Sequence, residues 1–200
     1  MTDPISEELQ AFVFANRGLL LAAPAALLAA FGRPSAFSVS VGLPTALAGE
    51  LLRCWAVGYS GETTRNDRVT ASKLVTSGPY GHVRNPLYLG NFITALGFAV
   101  AFTGKNKPIE RLALTAGTLG VMAALYATIV PHEEQYLRER FGDEFERYCE
   151  HVPRIVPQLE PAADGAGTWD VGVIAQAESK TFLTFGAMLA LLALKSIASS

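Results

Sequence analysis

Cysteine and charged residues are both scarce in this chain of 200 residues. Its two cysteines are Cys54, in an apolar stretch, and Cys149, among charged residues, and neither belongs to a Cys-x-x-Cys pair or to a Cys/His cluster. We therefore expect no disulfide and no metal site, and interpret both as packing residues. The net charge is −2 and only 17% of residues are charged, so the basic surface that nucleic-acid binding requires is missing.

Long uncharged runs are what the chain does have. Half of its residues are hydrophobic, and the runs 87–104 and 112–131 contain no charged residue. Each run is close to the length of about 20 residues with which a helix crosses a bilayer. A soluble helical bundle is the alternative, but two such runs are hard to place in one small soluble core. The sequence predicts a single-domain, all-α integral membrane protein.

Three further apolar segments complete a predicted set of about five spanning helices. They are interrupted by more polar residues, among them Glu50 and Arg53 in the second segment. The segment 161–169, which contains Ala, Gly and Asp, is typical of a linker before the last helix. The predicted spans are residues 11–31, 36–58, 87–104, 110–131 and 171–197.

Two polar segments, 72–90 and 132–157, flank the third and fourth predicted spans. Because two crossings return the chain to its starting side, both segments should face one membrane surface. Eight Lys and Arg residues fall on this side and four on the other, which predicts that the polar segments and the N-terminus are cytoplasmic. The N-terminus is acidic where a signal peptide is basic, so we expect the first span to direct a multi-pass protein to the cell membrane.

The first polar segment predicts a rigid turn followed by a helix start. Ser77-Gly78-Pro79-Tyr80-Gly81 has turn residues, and Pro86 suits the first turn of a helix. The amides of Leu87 and Tyr88 would then lack helical partners, and such a start attracts carboxylates and phosphates. An ordinary loop and cap is the alternative.

Paired acids mark the second polar segment and one predicted span. Glu133 and Glu134 directly follow an uncharged run, so a cation should offset them, although a solvated helix start is the alternative. Glu50 and Arg53 are three residues apart on one helix face and can pair. Ionisable residues inside a membrane are functional candidates, with simple pairing or snorkelling as the alternative.

Taken together, TSGPYGHVRNPLYLG and EEQYLRERFGDEFERYCEHVPRIVP resemble the isoprenylcysteine carboxyl methyltransferases and the related phospholipid methyltransferases. These are multi-span membrane enzymes that use S-adenosyl-L-methionine, and the resemblance covers about residues 72–157. It implies a cytoplasmic cofactor site formed by the loop before span 3 and the helix after span 4. The cofactor-binding residues that it implies are Lys73, Leu74, Val75, Tyr80, Asn85, Pro86, Leu87, Tyr88 and Glu133.

Two departures from the carboxyl-methylating enzymes bear on the acceptor. Asn85 stands where they carry histidine, and Ile129 stands where they carry an arginine taken to hold the substrate carboxylate. We therefore expect methyl transfer to the amine head group of a membrane phospholipid, with Glu134 or Glu50 as catalytic residues that take its proton.

Other functions remain open on the sequence alone. An isoprenylcysteine carboxyl O-methyltransferase is the first alternative, and Arg53 or Arg84 would then hold the substrate carboxylate. A nicotinamide-dependent lipid reductase and a non-catalytic membrane protein are the others. Membrane lipid is the expected partner, with no nucleic acid and no metal.

Overall fold

The computed structural model describes residues 20–61, 73–162, 165 and 167–198, and every regular element in these ranges is helical. This confirms the all-α prediction. In chain order the helices are α1 (Leu20–Phe31), α2 (Ala36–Ser60), α3 (Pro86–Phe102), α4 (Pro108–Phe141), α5 (Asp143–His151), α6 (Ile174–Ala177) and α7 (Ser179–Ala198). A 3-10 turn, Gly78–Gly81, precedes α3.

Helix ends follow local sequence signals. Ser35 caps α2, and its hydroxyl accepts a hydrogen bond from the amide of Ser38 at 3.1 Å while the Ser38 hydroxyl accepts one from the Ser35 amide at 3.0 Å. Both α3 and α4 begin at proline, which loses nothing there because first-turn amides have no helical acceptor. The predicted spans 36–58 and 87–104 match α2 and α3 within two residues at each end.

A small-residue interface joins α2 to α3. A Cβ atom added at Gly97 would lie 2.2 Å from the Ala46 nitrogen, and one at Gly42 would lie 2.4 Å from the Gly97 carbonyl oxygen. The contact continues to Gly49 and Gly90, where an added Cβ would also fall below 3.0 Å. Small residues let helix backbones approach closely, and in lipid this contact drives association because apolar burial contributes little.

The fourth helix is longer than predicted. The sequence predicted a span of 110–131 with a separate helix after it, but α4 runs for 34 residues through Pro131 to Phe141. The helix continues because one internal proline removes a single helical hydrogen bond, and membrane helices tolerate this. The span 110–131 within this helix stays a prediction. At 1.5 Å per residue α4 is about 51 Å long, which exceeds the hydrocarbon core of about 30 Å.

Length and composition make two of the described helices, α4 and α7, apolar and long enough to cross a membrane. Helices α1 and α3 are apolar but shorter. Large exposed apolar side chains cover the outer faces of the bundle: Phe37, Val41 and Leu51 on α2, Leu112 and Val121 on α4, and Leu183, Leu194 and Ile197 on α7. Such faces suit a lipid environment, and the count of about five spans stays a prediction. Residues 11–19 of the first predicted span lie outside the described residues.

The C-terminal part of the chain packs back onto the rest. The beginning of the predicted linker packs against the turn before α3, where the Ala162 amide donates a hydrogen bond to the Gly81 carbonyl at 2.9 Å. The Asp170 amide then donates to the Gly58 carbonyl of α2 at 2.8 Å. Within the last predicted span, 171–197, the chain turns at Glu178, which separates α6 from α7. The span itself stays a prediction.

The close approach of α2 and α3 predicts opposite effects of two matched substitutions. Gly97→Ala should destabilise the protein by about 1–3 kcal/mol because the new methyl group meets backbone atoms of α2. Gly120→Ala on α4, where an added Cβ meets nothing within 4 Å, should be neutral or stabilise by up to about 1 kcal/mol. Thermal unfolding of the detergent-solubilised variants measures both, and equal melting temperatures would contradict the interface.

Candidate active site

Glu133 contacts the first turn of α3. The Tyr88 hydroxyl donates a hydrogen bond to Glu133 Oε1 at 2.7 Å, which joins α3 to α4. The Tyr88 ring also packs on Tyr126, with ring centroids 4.4 Å apart. The predicted meeting of the loop before α3 with the acids of α4 is therefore present. It places a carboxylate beside the helix start whose first amides, those of Leu87 and Tyr88, lack helical acceptors.

The neighbouring acid, Glu134, points elsewhere because successive residues on a helix lie about 100° apart. It is 3% exposed, and its Oε1 accepts hydrogen bonds from Arg84 Nε at 3.2 Å and from Asn85 Nδ2 at 3.4 Å. Arg154 Nε donates to both carboxylate oxygens, at 3.1 and 3.0 Å. This carboxylate ties the loop before α3 and the segment after α5 to α4. Its role as a proton acceptor stays a prediction, but these contacts are those of a structural ion pair.

Helix α5 packs over the start of the first polar segment. A buried cluster contains Leu74, Phe145, Tyr148 and Val152. The Leu74 side chain is therefore enclosed by protein, and its part in cofactor binding stays a prediction. Lys73 is exposed and Val75 is partly exposed at the edge of this cluster.

Tyr80 lies in the 3-10 turn at the centre of the site. Its carbonyl accepts a hydrogen bond from the Tyr148 hydroxyl at 2.8 Å, and its own hydroxyl is hydrogen-bonded to the Ser60 side chain at the end of α2. Burial raises the pKa of Tyr80 to about 12, and the nearby Glu133 carboxylate adds to this effect. Its phenol therefore stays protonated at neutral pH and can contribute a hydrogen bond or an aromatic face.

Both arginines predicted as substrate ligands are already in ion pairs. Arg84 donates to Glu134, and also from Nη1 to the Cys149 carbonyl at 3.0 Å. Arg53 makes its ion pair with Glu178, at 2.8 Å, rather than with the nearby Glu50 that the spacing suggested. A substrate carboxylate would reach either guanidinium only by sharing it with these acids.

A cavity of about 170 Å³ opens between α1, α2, α3, α4 and α7. Its wall is mainly apolar, with Leu28, Phe98, Met122 and Met188 among the side chains that line it. The polar groups that line it are Glu50, Asn91, Thr94, Thr118, Tyr126, Thr181 and Thr184. Since Tyr126 also contacts Tyr88, the cavity adjoins the Tyr88–Glu133 pair. Such a mixed lining suits an apolar chain that ends in a polar group.

Comparison with known proteins shows the family of this chain. The family model described as phospholipid methyltransferase matches residues 37–144, which is more than half of the chain. The chain belongs to the phospholipid methyltransferase family. The match runs from the start of α2 to the start of α5, so it contains Tyr88, Glu133 and Glu134 but neither Arg154 nor Glu178.

Several curated proteins are similar in sequence to part of this member of the phospholipid methyltransferase family. Protein-S-isoprenylcysteine O-methyltransferase B of Arabidopsis thaliana is 32% identical over 120 residues, which is 58% of this chain and 57% of that protein. Protein-S-isoprenylcysteine O-methyltransferase of Schizosaccharomyces pombe is 32% identical over 117 residues, which is 56% of this chain and 46% of that protein. The cobalt-zinc-cadmium resistance protein CzcN of Cupriavidus metallidurans is 37% identical over 100 residues, 50% of this chain and 42% of the relative.

These matches leave a substantial part of each relative uncovered, since the chain spans between 42% and 57% of their lengths. No solved structure matches the chain significantly. Members of the family use S-adenosyl-L-methionine, in agreement with the cofactor predicted from the sequence.

Four residues of the site were not found from the sequence: Asn91, Tyr126, Arg154 and Glu178. Asn91 and Tyr126 are polar residues inside uncharged runs, and that was the available signal. Arg154 stands in the Val-Pro-Arg piece of the resemblance but was assigned no role. Glu178 interrupts the last apolar segment, and only the fold shows that it meets Arg53 across 125 residues of sequence.

The separation of the two acids predicts that only one of them contacts the cofactor. Glu133→Gln should weaken the binding of S-adenosyl-L-methionine by about 1.5–3 kcal/mol, roughly 10- to 100-fold, because a charge-assisted contact is lost. Glu146→Gln is the control, since Glu146 pairs with Arg138 on the exposed face of α5. Titration calorimetry measures both affinities, and equal values would remove Glu133 from the cofactor site.

Glu134 is expected to act on stability. Glu134→Gln should lower the free energy of unfolding by about 2–4 kcal/mol, because it leaves the nearly buried Arg84 without a carboxylate, while the half-exposed Arg154 stays solvated. Glu139→Gln, at an exposed position of the same helix, should change it little. An unchanged melting temperature, with intact cofactor binding but lost methyl transfer, would instead support Glu134 as a proton acceptor.

Proposed function

We propose that this protein transfers a methyl group from S-adenosyl-L-methionine to an amphiphile held in the membrane. The observation that carries the proposal is the Tyr88–Glu133 pair, which lies at the start of α3 and adjoins the apolar cavity through Tyr126. A polar site at a helix start and an apolar pocket beside it are what a water-soluble methyl donor and a lipid-like acceptor require.

The residues present suit the amino-acid part of the cofactor. The amides of Leu87 and Tyr88 at the start of α3 would hold its carboxylate, while Glu133, one helix away, would hold its ammonium group. Pro86 fixes this first turn, and the Asn85 amide group hydrogen-bonds to Glu134 and to the Arg154 carbonyl. Tyr80 would supply an aromatic face for the adenine ring. Lys73, Leu74 and Val75 would border it, with Leu74 contributing mainly its backbone.

The cofactor supplies a methyl group on a sulfonium, which is already a good leaving group. The protein's task is then to orient the acceptor and to exclude water. Helix α5 and the segment 153–162 cover the turn 78–82, through contacts such as the 3.0 Å hydrogen bond from the Gln158 amide to the His82 carbonyl. Glu134 holds this cover in place.

The two protein-S-isoprenylcysteine O-methyltransferases named above favour a carboxylate acceptor, whereas the sequence had favoured a phospholipid amine. We therefore propose the carboxylate of an isoprenylcysteine-like amphiphile as acceptor. A carboxylate is already deprotonated at neutral pH and needs no base. This agrees with the full engagement of Glu134 in ion pairs. Arg53 contacts both Asn91 and Thr181, which line the cavity, so a cation lies one residue behind its polar wall.

An amine head group, as in phosphatidylethanolamine, is the second candidate. It is favoured by Glu50, a buried carboxylate in the cavity wall, which would attract an ammonium group or accept its proton. For either acceptor, we propose that the cofactor site faces the cytoplasm of a multi-pass protein of the cell membrane, on the basis of the Lys and Arg distribution.

A labelling experiment distinguishes the two acceptors. The purified protein is incubated with S-adenosyl-L-methionine labelled in its methyl group, together with either N-acetyl-S-farnesylcysteine or phosphatidylethanolamine liposomes. We expect a base-labile methyl ester on the farnesylcysteine and strongly reduced label with Glu133→Gln.

Two other outcomes would contradict this proposal at different levels. Label on phosphatidylethanolamine alone would support the amine acceptor and Glu50. Failure of the wild-type protein to bind either S-adenosyl-L-methionine or its demethylated product would remove the methyltransferase function itself.

A further inference from the structure

A buried ion pair ties the C-terminal segment to α2. Glu178 is 1% exposed, and both of its carboxylate oxygens accept hydrogen bonds from Arg53 Nη2 at 2.8 Å. The carboxylate stands at the start of α7, where the helix dipole favours negative charge. Burying two charges has a desolvation cost that often cancels their attraction, so stability alone is a weak explanation for the pair.

The other side of the Arg53 guanidinium contacts the beginning of α3. Its Nη1 donates to Asn91 Oδ1 at 2.7 Å and approaches the Leu87 carbonyl at 3.5 Å. Gly90 makes room for this contact, because a Cβ atom there would lie 2.6 Å from Arg53 Cγ. Glu178 thus fixes a group that itself contacts the helix turn bearing Tyr88.

Arg53 also decides which way the Asn91 amide faces. A guanidinium can only donate, so the Asn91 oxygen must face Arg53 and its nitrogen must face away. That nitrogen donates to the Tyr126 hydroxyl at 2.8 Å. Because the Tyr126 oxygen acts as the acceptor in this bond, its O–H group can donate a hydrogen bond to a group in the cavity that Tyr126 lines.

We propose that Glu178 is a positioning residue for methyl transfer. It holds Arg53 so that Asn91 and Tyr126 present a hydrogen-bond donor to the polar end of the acceptor, next to Tyr88 and Glu133. The inference rests on the proposed function and extends it to a residue outside the family match of 37–144. Without the Glu178 carboxylate, the guanidinium turns toward Glu50, one helical turn earlier, and the Asn91 amide loses its fixed direction.

Turnover per cofactor-binding site tests the proposal. For Glu178→Gln we expect kcat, divided by the number of sites titrated with S-adenosyl-L-methionine, to fall about tenfold because the acceptor is misaligned. The cofactor Kd should change less than about threefold, since the Tyr88–Glu133 pair is untouched. Glu146→Gln is the control. If the Glu178–Arg53 pair only stabilised the fold, Glu178→Gln would reduce the number of cofactor-binding sites and leave turnover per site unchanged. That result would overturn the proposal.

A second variant keeps the test open if Glu178→Gln fails to fold. Asn91→Ala leaves the Arg53–Glu178 pair in place and should lower turnover per site to a similar extent. The double variant should be little worse than either single one, because both act through the same contacts. Wild-type turnover per site in Asn91→Ala would overturn the proposal. A wild-type protein without methyl transfer would instead contradict the proposed function.

Discussion

The backbone contact between α2 and α3 is the constraint on which the rest of the structure depends. Where Gly97 meets Ala46, neither helix has room for another carbon atom. This approach lets Arg53 of α2 reach the Leu87 carbonyl and Asn91 of α3, so that a guanidinium is buried between two helices. The start of α3, and with it the Tyr88–Glu133 pair, is thereby held next to the cavity that Asn91 and Tyr126 line.

The sequence predicted which segments meet but not how their side chains pair. The loop before α3 and the acids after the uncharged run of α4 do come together, because α3 and α4 run antiparallel on either side of a short connection, residues 103–107. The pairing inside that contact depends on helical phase: Glu133 turns to Tyr88 and Glu134 turns to Arg84. The continuation of α4 through Pro131 sets this phase, and the chain alone gave no sign of it.

Sequence patterns also could not predict the long-range ion pairs, because the fold rather than local spacing selects the partners. Spacing on one helix suggested Glu50 as the partner of Arg53, since residues three apart are neighbours. The fold instead brings Glu178 to Arg53, and the turn between α6 and α7 places its carboxylate at a helix start. The residues proposed to contact the acceptor come from α2, α3, α4 and the C-terminal segment together, whereas Asn85 and Ile129, the two departures on which the sequence prediction rested, do not line the cavity.

The length of the uncharged part of α4 also sets the expected depth of Glu133 in a bilayer. Its uncharged part, residues 112–131, extends for about 30 Å at 1.5 Å per residue, which equals the thickness of a typical hydrocarbon core. Glu133 and Glu134 follow at once, so the proposed reaction takes place in the plane of the lipid head groups. A bilayer thicker or thinner than this run creates hydrophobic mismatch, which the helix relieves by tilting or by deforming the lipid around it. Either response would shift Glu133 relative to the head groups of an acceptor, so we expect the rate of the proposed reaction to depend on membrane thickness.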